Sequence, residues 1–154
     1  MKSFEIREDD LTAEATRELL VEHFQHMRAG SPPGHSFALD LDGLSDPNVT
    51  VWTAWDESTI AGVAALNDVG DGIGELKSMR TASSHLRQGV AAALLAHIID
   101  EARQRGLRRL SLETGSGENF DAAVAFYRNQ GFLDGDAFGD YVRSDFNQFL
   151  HLDL

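Results

Sequence analysis

Glu75-Leu-Lys-Ser-Met-Arg-Thr-Ala-Ser-Ser-His-Leu-Arg-Gln-Gly-Val-Ala-Ala-Ala-Leu-Leu95 is the stretch on which the fold turns. Its beginning, Gly74 to Thr81, has the composition and length of a strand. From Val90 the period changes: Ala91, Leu94, Leu95, Ile98, Ile99 and Ala102 fall on one face of a helix that closes at Gly106. Leu107 to Glu113 is a second strand, and a strand, helix, strand unit of right-handed crossover makes its two strands parallel. Between the first strand and the helix lies His85-Leu-Arg-Gln-Gly-Val-Ala-Ala92. A loop with Gly89 and small residues at Ala91 and Ala92, opening directly on a helix, leaves backbone N–H groups free and admits an anion such as phosphate.

Outward from this unit the chain alternates short elements. Phe4 to Arg7 reads as a first strand, and Ala13 to Arg28 as a helix with Ala15, Leu19, Leu20, Phe24 and Met27 at helical spacing, ending at Gly30. Ser31-Pro-Pro-Gly34 breaks the chain before a short helical segment from Phe37 to Leu44. Val49 to Trp55 and Thr59 to Leu66 are strands joined at Asp56-Glu57-Ser58, an antiparallel hairpin. Gly70-Asp71-Gly72 is another turn. On the C-terminal side, Asp121 to Gln130 is a helix, and the tail supplies two short strands, the last from Phe149 to Leu154. No repeat or linker interrupts the 154 residues, so one domain over 1–154 is expected, of α/β class with a mixed sheet.

Composition narrows the function. There is no cysteine, which removes thiolate nucleophiles, disulfides and Cys-based metal sites. No His pair has metal spacing with a carboxylate partner, so no metal is expected. The chain has no apolar run of membrane-spanning length and no signal-like start, which points to a cytoplasmic protein without a membrane partner. A net charge of −12 disfavours nucleic acid and suits a cationic substrate such as an amine. Against that background, Lys77 to Arg109 holds seven basic residues and two acidic ones, a local field suited to an anion. Arg103 and Arg105 belong to the last turn of the helix, where cations complement its dipole; Arg80 and Arg87 carry the functional weight.

Glu75 through Leu95 resembles the central motif of the GNAT superfamily of N-acetyltransferases, in which a strand is followed by a loop [QR]-x-x-G-x-[GA] and a helix opening with paired Leu. Leu86 to Ala91 fills that loop, matching at Gly89 and Ala91, with Leu94 and Leu95 following. Leu86 stands where Gln or Arg is usual. Asp121 to Phe132, with Ala123, Phe126-Tyr127 and Gly131-Phe132, is similar to the family's late element A-x-x-[FL]-Y-x-x-x-G-F. The Asn that commonly opens this element falls on Phe120, with Asn119 one position early, so that contact is not transferred. Ser31-Pro-Pro33, Leu112-Glu-Thr-Gly-Ser116 and Phe138-Gly-Asp-Tyr141 also resemble a bacterial branch typified by YsnE.

The resemblance implies a GNAT fold: a mixed central sheet of about seven strands, its parallel central pair splayed apart, with flanking helices. It implies acetyl-CoA as cosubstrate, the arm held by the backbone of Met79, Arg80 and Thr81 and the pyrophosphate by Arg87, Gln88, Gly89, Val90, Ala91 and Ala92. Transfer to an amine needs a base for the amine and an acid for the departing thiolate. Glu75 aligns with a strand base of the histone-type branch, Glu113 is its rival on the neighbouring strand, and Tyr127 matches the tyrosine placed beside the sulfur. The N–H of Met79 is the expected donor to the oxyanion. Ser31, His35, Ser36, Trp52, Asp140 and Tyr141 are the expected acceptor-site residues, while His23, His26, His97 and His151 are read as surface or core. The acceptor expected is the primary amine of a small molecule; a protein lysine or N-terminus, a non-catalytic CoA-binding or regulatory module, and a homodimeric assembly remain open. A nucleotide-binding domain is disfavoured, because an antiparallel hairpin precedes the loop and no carboxylate closes the next strand at the required spacing.

Overall fold

A computed structural model describes residues 2–33 and 41–154 of the chain. The elements in order are β1 (Glu5–Asp9), α1 (Glu14–Ala29), α2 (Leu41–Leu44), β2 (Val49–Asp56), β3 (Thr59–Gly70), β4 (Ile73–Thr81), a 3-10 turn (Ser83–His85), α3 (Val90–Gln104), β5 (Arg109–Thr114), α4 (Glu118–Asn129), β6 (Leu133–Asp134) and β7 (Gln148–Asp153). The seven strands form one mixed sheet in the order β1-β2-β3-β4-β5-β7-β6. All neighbours are antiparallel except β4 and β5, which are parallel, as the sequence predicts. The expected short helix from Phe37 lies partly outside the described residues; its end is α2. Two boundaries differ from the pattern. β3 runs on to Gly70 because Asn67 and Asp68 still pair with Glu75 and Gly74, and α4 starts at Glu118 because the carbonyl of Gly117 already accepts the N–H groups of Phe120 and Asp121.

Alternation along the strands sorts the core into two layers. Ala64, Leu66, Leu76, Leu110 and Leu112 meet Val90, Leu94, Leu95 and Ile98 of α3, and Val124 and Tyr127 of α4. On the opposite face, Val51, Val63 and Ala65 meet Leu19, Leu20 and Phe24 of α1. Gly62 lets α3 press onto β3, since a Cβ there would stand 2.6 Å from Cγ1 of Val90. At the other face Asp9 fastens α1: one carboxylate oxygen accepts from Thr16 at 2.9 Å and from Thr53 at 3.0 Å, joining β1, α1 and β2. Both threonines are fully buried, where a hydrogen bond must be made within the protein. No helix among the described residues is long and apolar enough to cross a membrane, and among them no cluster of His, Cys, Asp and Glu could hold a metal ion.

Candidate active site

The parallel pair is short. β4 and β5 register at Ile73 with Arg109, Gly74 with Leu110 and Glu75 with Ser111, and no pairing continues beyond. β4 runs on to Thr81 and β5 to Thr114, so their ends part and leave a slot. At the same point β4 bulges: Lys77 pairs with Ala65 and Arg80 with Val63, so Ser78 and Met79 together oppose Ala64. Ser78 takes φ 54° there. Such a bulge takes backbone groups out of the regular ladder and re-aims side chains.

The slot opens into a cavity of about 700 Å³. One end is the loop before α3. Arg87 at φ 61° and Gly89 at φ 87° are left-handed, no side chain caps the helix, and a Cβ at Gly89 would meet open space. Backbone N–H groups at an uncapped helix start, with Arg87 beside them, fit an anionic pyrophosphate. Arg87, Gly89, Val90, Ala91 and Ala92 line the cavity, as do Met79, Arg80 and Thr81 along β4. Gln88 does not; its amide reaches back to the carbonyl of Ser84 at 3.5 Å. Leu86 is 58% exposed at the rim, so its departure from the motif costs no packing.

Tyr127, Glu75 and Glu113 line the cavity as well. Tyr127 is held edge-on between Phe126 and Phe132, and burial pushes its phenol well above the ordinary range. The two carboxylates differ. Glu75, 4% exposed, accepts from Asn67 at 3.2 Å and Lys77 at 3.4 Å, and from the hydroxyl of Tyr141 in a short hydrogen bond. Lys77 also donates to Tyr141 at 2.8 Å. Glu113 is half-buried, and its pKa is pushed up to about 7: burial is the main cause, the charge on Glu75 adds to it, and Lys77 and Asn147 oppose it.

The predicted acceptor residues scatter. Ser31 lines the cavity. Tyr141 does not line it but braces Glu75, while Asp140 is exposed. Trp52 stands apart from the cavity: it is 2% exposed beneath α3, against His97 and Arg105, because its position on β2 faces the α3 layer. His35 and Ser36 lie outside the described residues. In contrast, His23 and His26, read from sequence as surface or core, line the cavity with Glu22. Lys77 and Ser78 were missed, although Lys77, two residues from Glu75 on one strand, shares its face by simple alternation. Asn119 lines the cavity as well, one helix position from where the motif expects it.

Comparison with known proteins agrees with this architecture. The model of the acetyltransferase (GNAT) family matches residues 11–132. The chain belongs to the GNAT acetyltransferase family. Among its GNAT relatives, the uncharacterised N-acetyltransferase YedL of Escherichia coli (strain K12) is 45% identical over 98% of this chain and 95% of that protein. The uncharacterised N-acetyltransferase YsnE of Bacillus subtilis (strain 168) is 46% identical over 88% of this chain and 90% of its own length, so the resemblance to a YsnE-like branch holds. The GNAT fold is shared with a Bacillus subtilis acetyltransferase solved in complex with CoA, at TM-score 0.73, 19% identity, and 99% of both chains.

Proposed function

We propose that the protein transfers the acetyl group of acetyl-CoA directly to the primary amine of a small molecule. The observation that carries this is the slot where β4 and β5 part, a cavity lined by an uncapped loop and helix start, a carboxylate of near-neutral pKa and a buried phenol. The fit for CoA rests on the uncapped α3 start, the left-handed Arg87 and Gly89, and the bulged backbone at Ser78 and Met79. The structurally similar acetyltransferase that holds CoA supports the same reading.

Glu113 serves as the base. A general base works best when its pKa lies near the operating pH, and burial places Glu113 there. Glu75 is engaged by Asn67, Lys77 and Tyr141, and its role is to fix Lys77 and Tyr141 at the cavity edge. Glu113 takes a proton from the amine as the C–N bond forms. The N–H of Met79, at the bulge, receives the charge that develops on the carbonyl oxygen. As the C–S bond breaks, the Tyr127 hydroxyl, which burial keeps protonated, hydrogen-bonds and gives a proton to the leaving sulfur, and the phenol is restored by the proton that Glu113 took from the amine, returned through solvent. The products are an N-acetylated amine and free CoA thiol. The test is thiol release from acetyl-CoA with a library of primary amines: amine-dependent release supports the reading, and release that no amine accelerates overturns it.

A further inference from the structure

Among the described residues, three buried side-chain atoms have no hydrogen-bond partner: Nδ1 of His23, Oγ of Ser78 and Nε of Arg80. All three residues line the one cavity described above, on the side that α1 covers. Buried polar atoms are almost always paired, so three orphans at one place indicate a ligand group that completes them. His23 is 6% exposed and Ser78 8%, so neither is satisfied by open solvent. Arg80 is near enough to His23 for its charge, after burial itself, to hold the imidazole neutral at a pKa of about 4.

The chemistry of the orphans selects the ligand. Nε of Arg80 can only donate; Nη2 already donates to Glu22 at 2.9 Å, while Nε is buried without a partner. Ser78 has a rotatable donor, and a neutral imidazole donates from Nδ1 in one tautomer. Three donors, one of them a guanidinium N–H, ask for an oxygen-rich anionic group, and a guanidinium with a carboxylate is the strong case. Glu75 and Glu113 line the same cavity, and their carboxylates suit an amine. We propose that His23, Ser78 and Arg80 bind a carboxylate of the acceptor, so that the substrate class is amines that also carry a carboxylate, amino acids foremost. This rests on the acetyltransferase reading for the position of the amine.

The probes are the common free L-amino acids, the amide of each, and the amine left when its carboxylate is removed. With acetyl-CoA, kcat/KM should favour the acid over its amide roughly ten- to hundred-fold, the range expected of a charge-assisted hydrogen bond. Arg80→Gln, His23→Gln and Ser78→Gly should each erase most of that preference by raising the KM for the acid, and in His23→Gln, which touches no part of the proposed CoA site, the KM for acetyl-CoA should stay unchanged; Gly also suits the left-handed backbone at position 78. The same acids and amides are titrated by calorimetry into protein saturated with CoA, which needs no turnover and also shows whether each variant is folded. Acid-selective binding that Arg80→Gln and Ser78→Gly remove establishes the corner even if no amine is acetylated, an outcome that would defeat only the acetyltransferase reading. Equal use of acids and amides, a preference that survives in all three variants, or no binding or acetylation of any acid overturns the proposal.

Discussion

The two sides of the slot are made differently. On the α3 side, the lining comes from one continuous loop and helix start, Arg87 and Gly89 to Ala92, where two residues are left-handed and the helix N-terminus is uncapped. On the α1 side, the groups are side chains from separate elements: His23 from α1, Lys77 and Arg80 from β4, Glu113 from β5, with Tyr141 bracing Glu75 from a segment sixty-six positions away. A backbone site needs only glycine and small residues at fixed spacing, and many sequences around it preserve the chemistry. A side-chain site depends on which residue each element presents, so it can be changed one residue at a time. The first arrangement suits a constant donor and the second a variable acceptor.

The largest expected effect breaks the backbone side alone. Gly89→Glu puts a side chain on a residue held at φ 87°, and a negative charge where the pyrophosphate is proposed to sit. L residues tolerate that backbone poorly, and the added carboxylate repels phosphate. Acetyl-CoA binding measured by calorimetry should be lost, while the variant still melts cooperatively, because the loop is at the surface. Unchanged affinity would remove the loop from the donor site and with it the contrast between the two sides.

The same contrast explains what could be read in the sequence. The strand, loop and helix from Glu75 to Leu95 are contiguous, so period and glycine placement reveal them without any knowledge of distant partners. The parallel pairing of β4 with β5 follows from connection rules, and Tyr127 follows from its Phe126 and Gly131-Phe132 context. The acceptor side has no such local signature. His23 looks like any helix residue until α1 is packed on the sheet through Asp9, Thr16 and Thr53, and Trp52 looks like a pocket aromatic until strand alternation turns it under α3. The bulge at Ser78 is invisible in a strand pattern, yet it decides how Met79 and Arg80 are aimed.

On the side-chain face, the next largest effect separates the two carboxylates. Glu113→Gln should lower kcat/KM by about 10²- to 10⁴-fold, the usual contribution of a positioned base. In the parent, activity should rise with pH through about 7 as Glu113 loses its proton, and that limb should vanish in the variant. Glu75→Gln should do less damage to the rate and retain the limb, since Glu75 braces Lys77 and Tyr141. If Glu75→Gln flattens the profile and Glu113→Gln does not, the two roles are exchanged.

Tyr127 tests the contribution of α4 to the cavity. Phenylalanine keeps the ring between Phe126 and Phe132 and deletes only the hydroxyl. Tyr127→Phe should keep the parent melting temperature and acetyl-CoA affinity, with kcat down about ten-fold or more from the lost acid. Turnover at the parent rate would make Tyr127 a packing residue and leave the departing thiolate to water.

The smallest effect is one of stability, and it asks whether Glu113 is there for function. Its folded pKa of about 7 lies above the ordinary value of 4.5, so over that interval the folded chain holds a proton that the unfolded chain has released. Stability from this group therefore falls as pH rises from about 4.5 to about 7, and the full deficit remains above. His23, pushed down to about 4 from 6.5, acts in the opposite direction, so raw melting curves mix the two. Comparing Glu113→Gln with its parent cancels the histidine, which both carry. The neutral amide avoids burying a charge, so the variant should match the parent near pH 4.5 and melt higher at pH 8. Glu113 is only half-buried, which reduces the gain to about 1 kcal/mol, or roughly 2–4 °C for a chain of this length. A residue whose removal stabilises the fold while costing most of the rate is retained for chemistry rather than packing. A variant that melts lower than its parent at pH 8 would make Glu113 a structural carboxylate and return the base to Glu75.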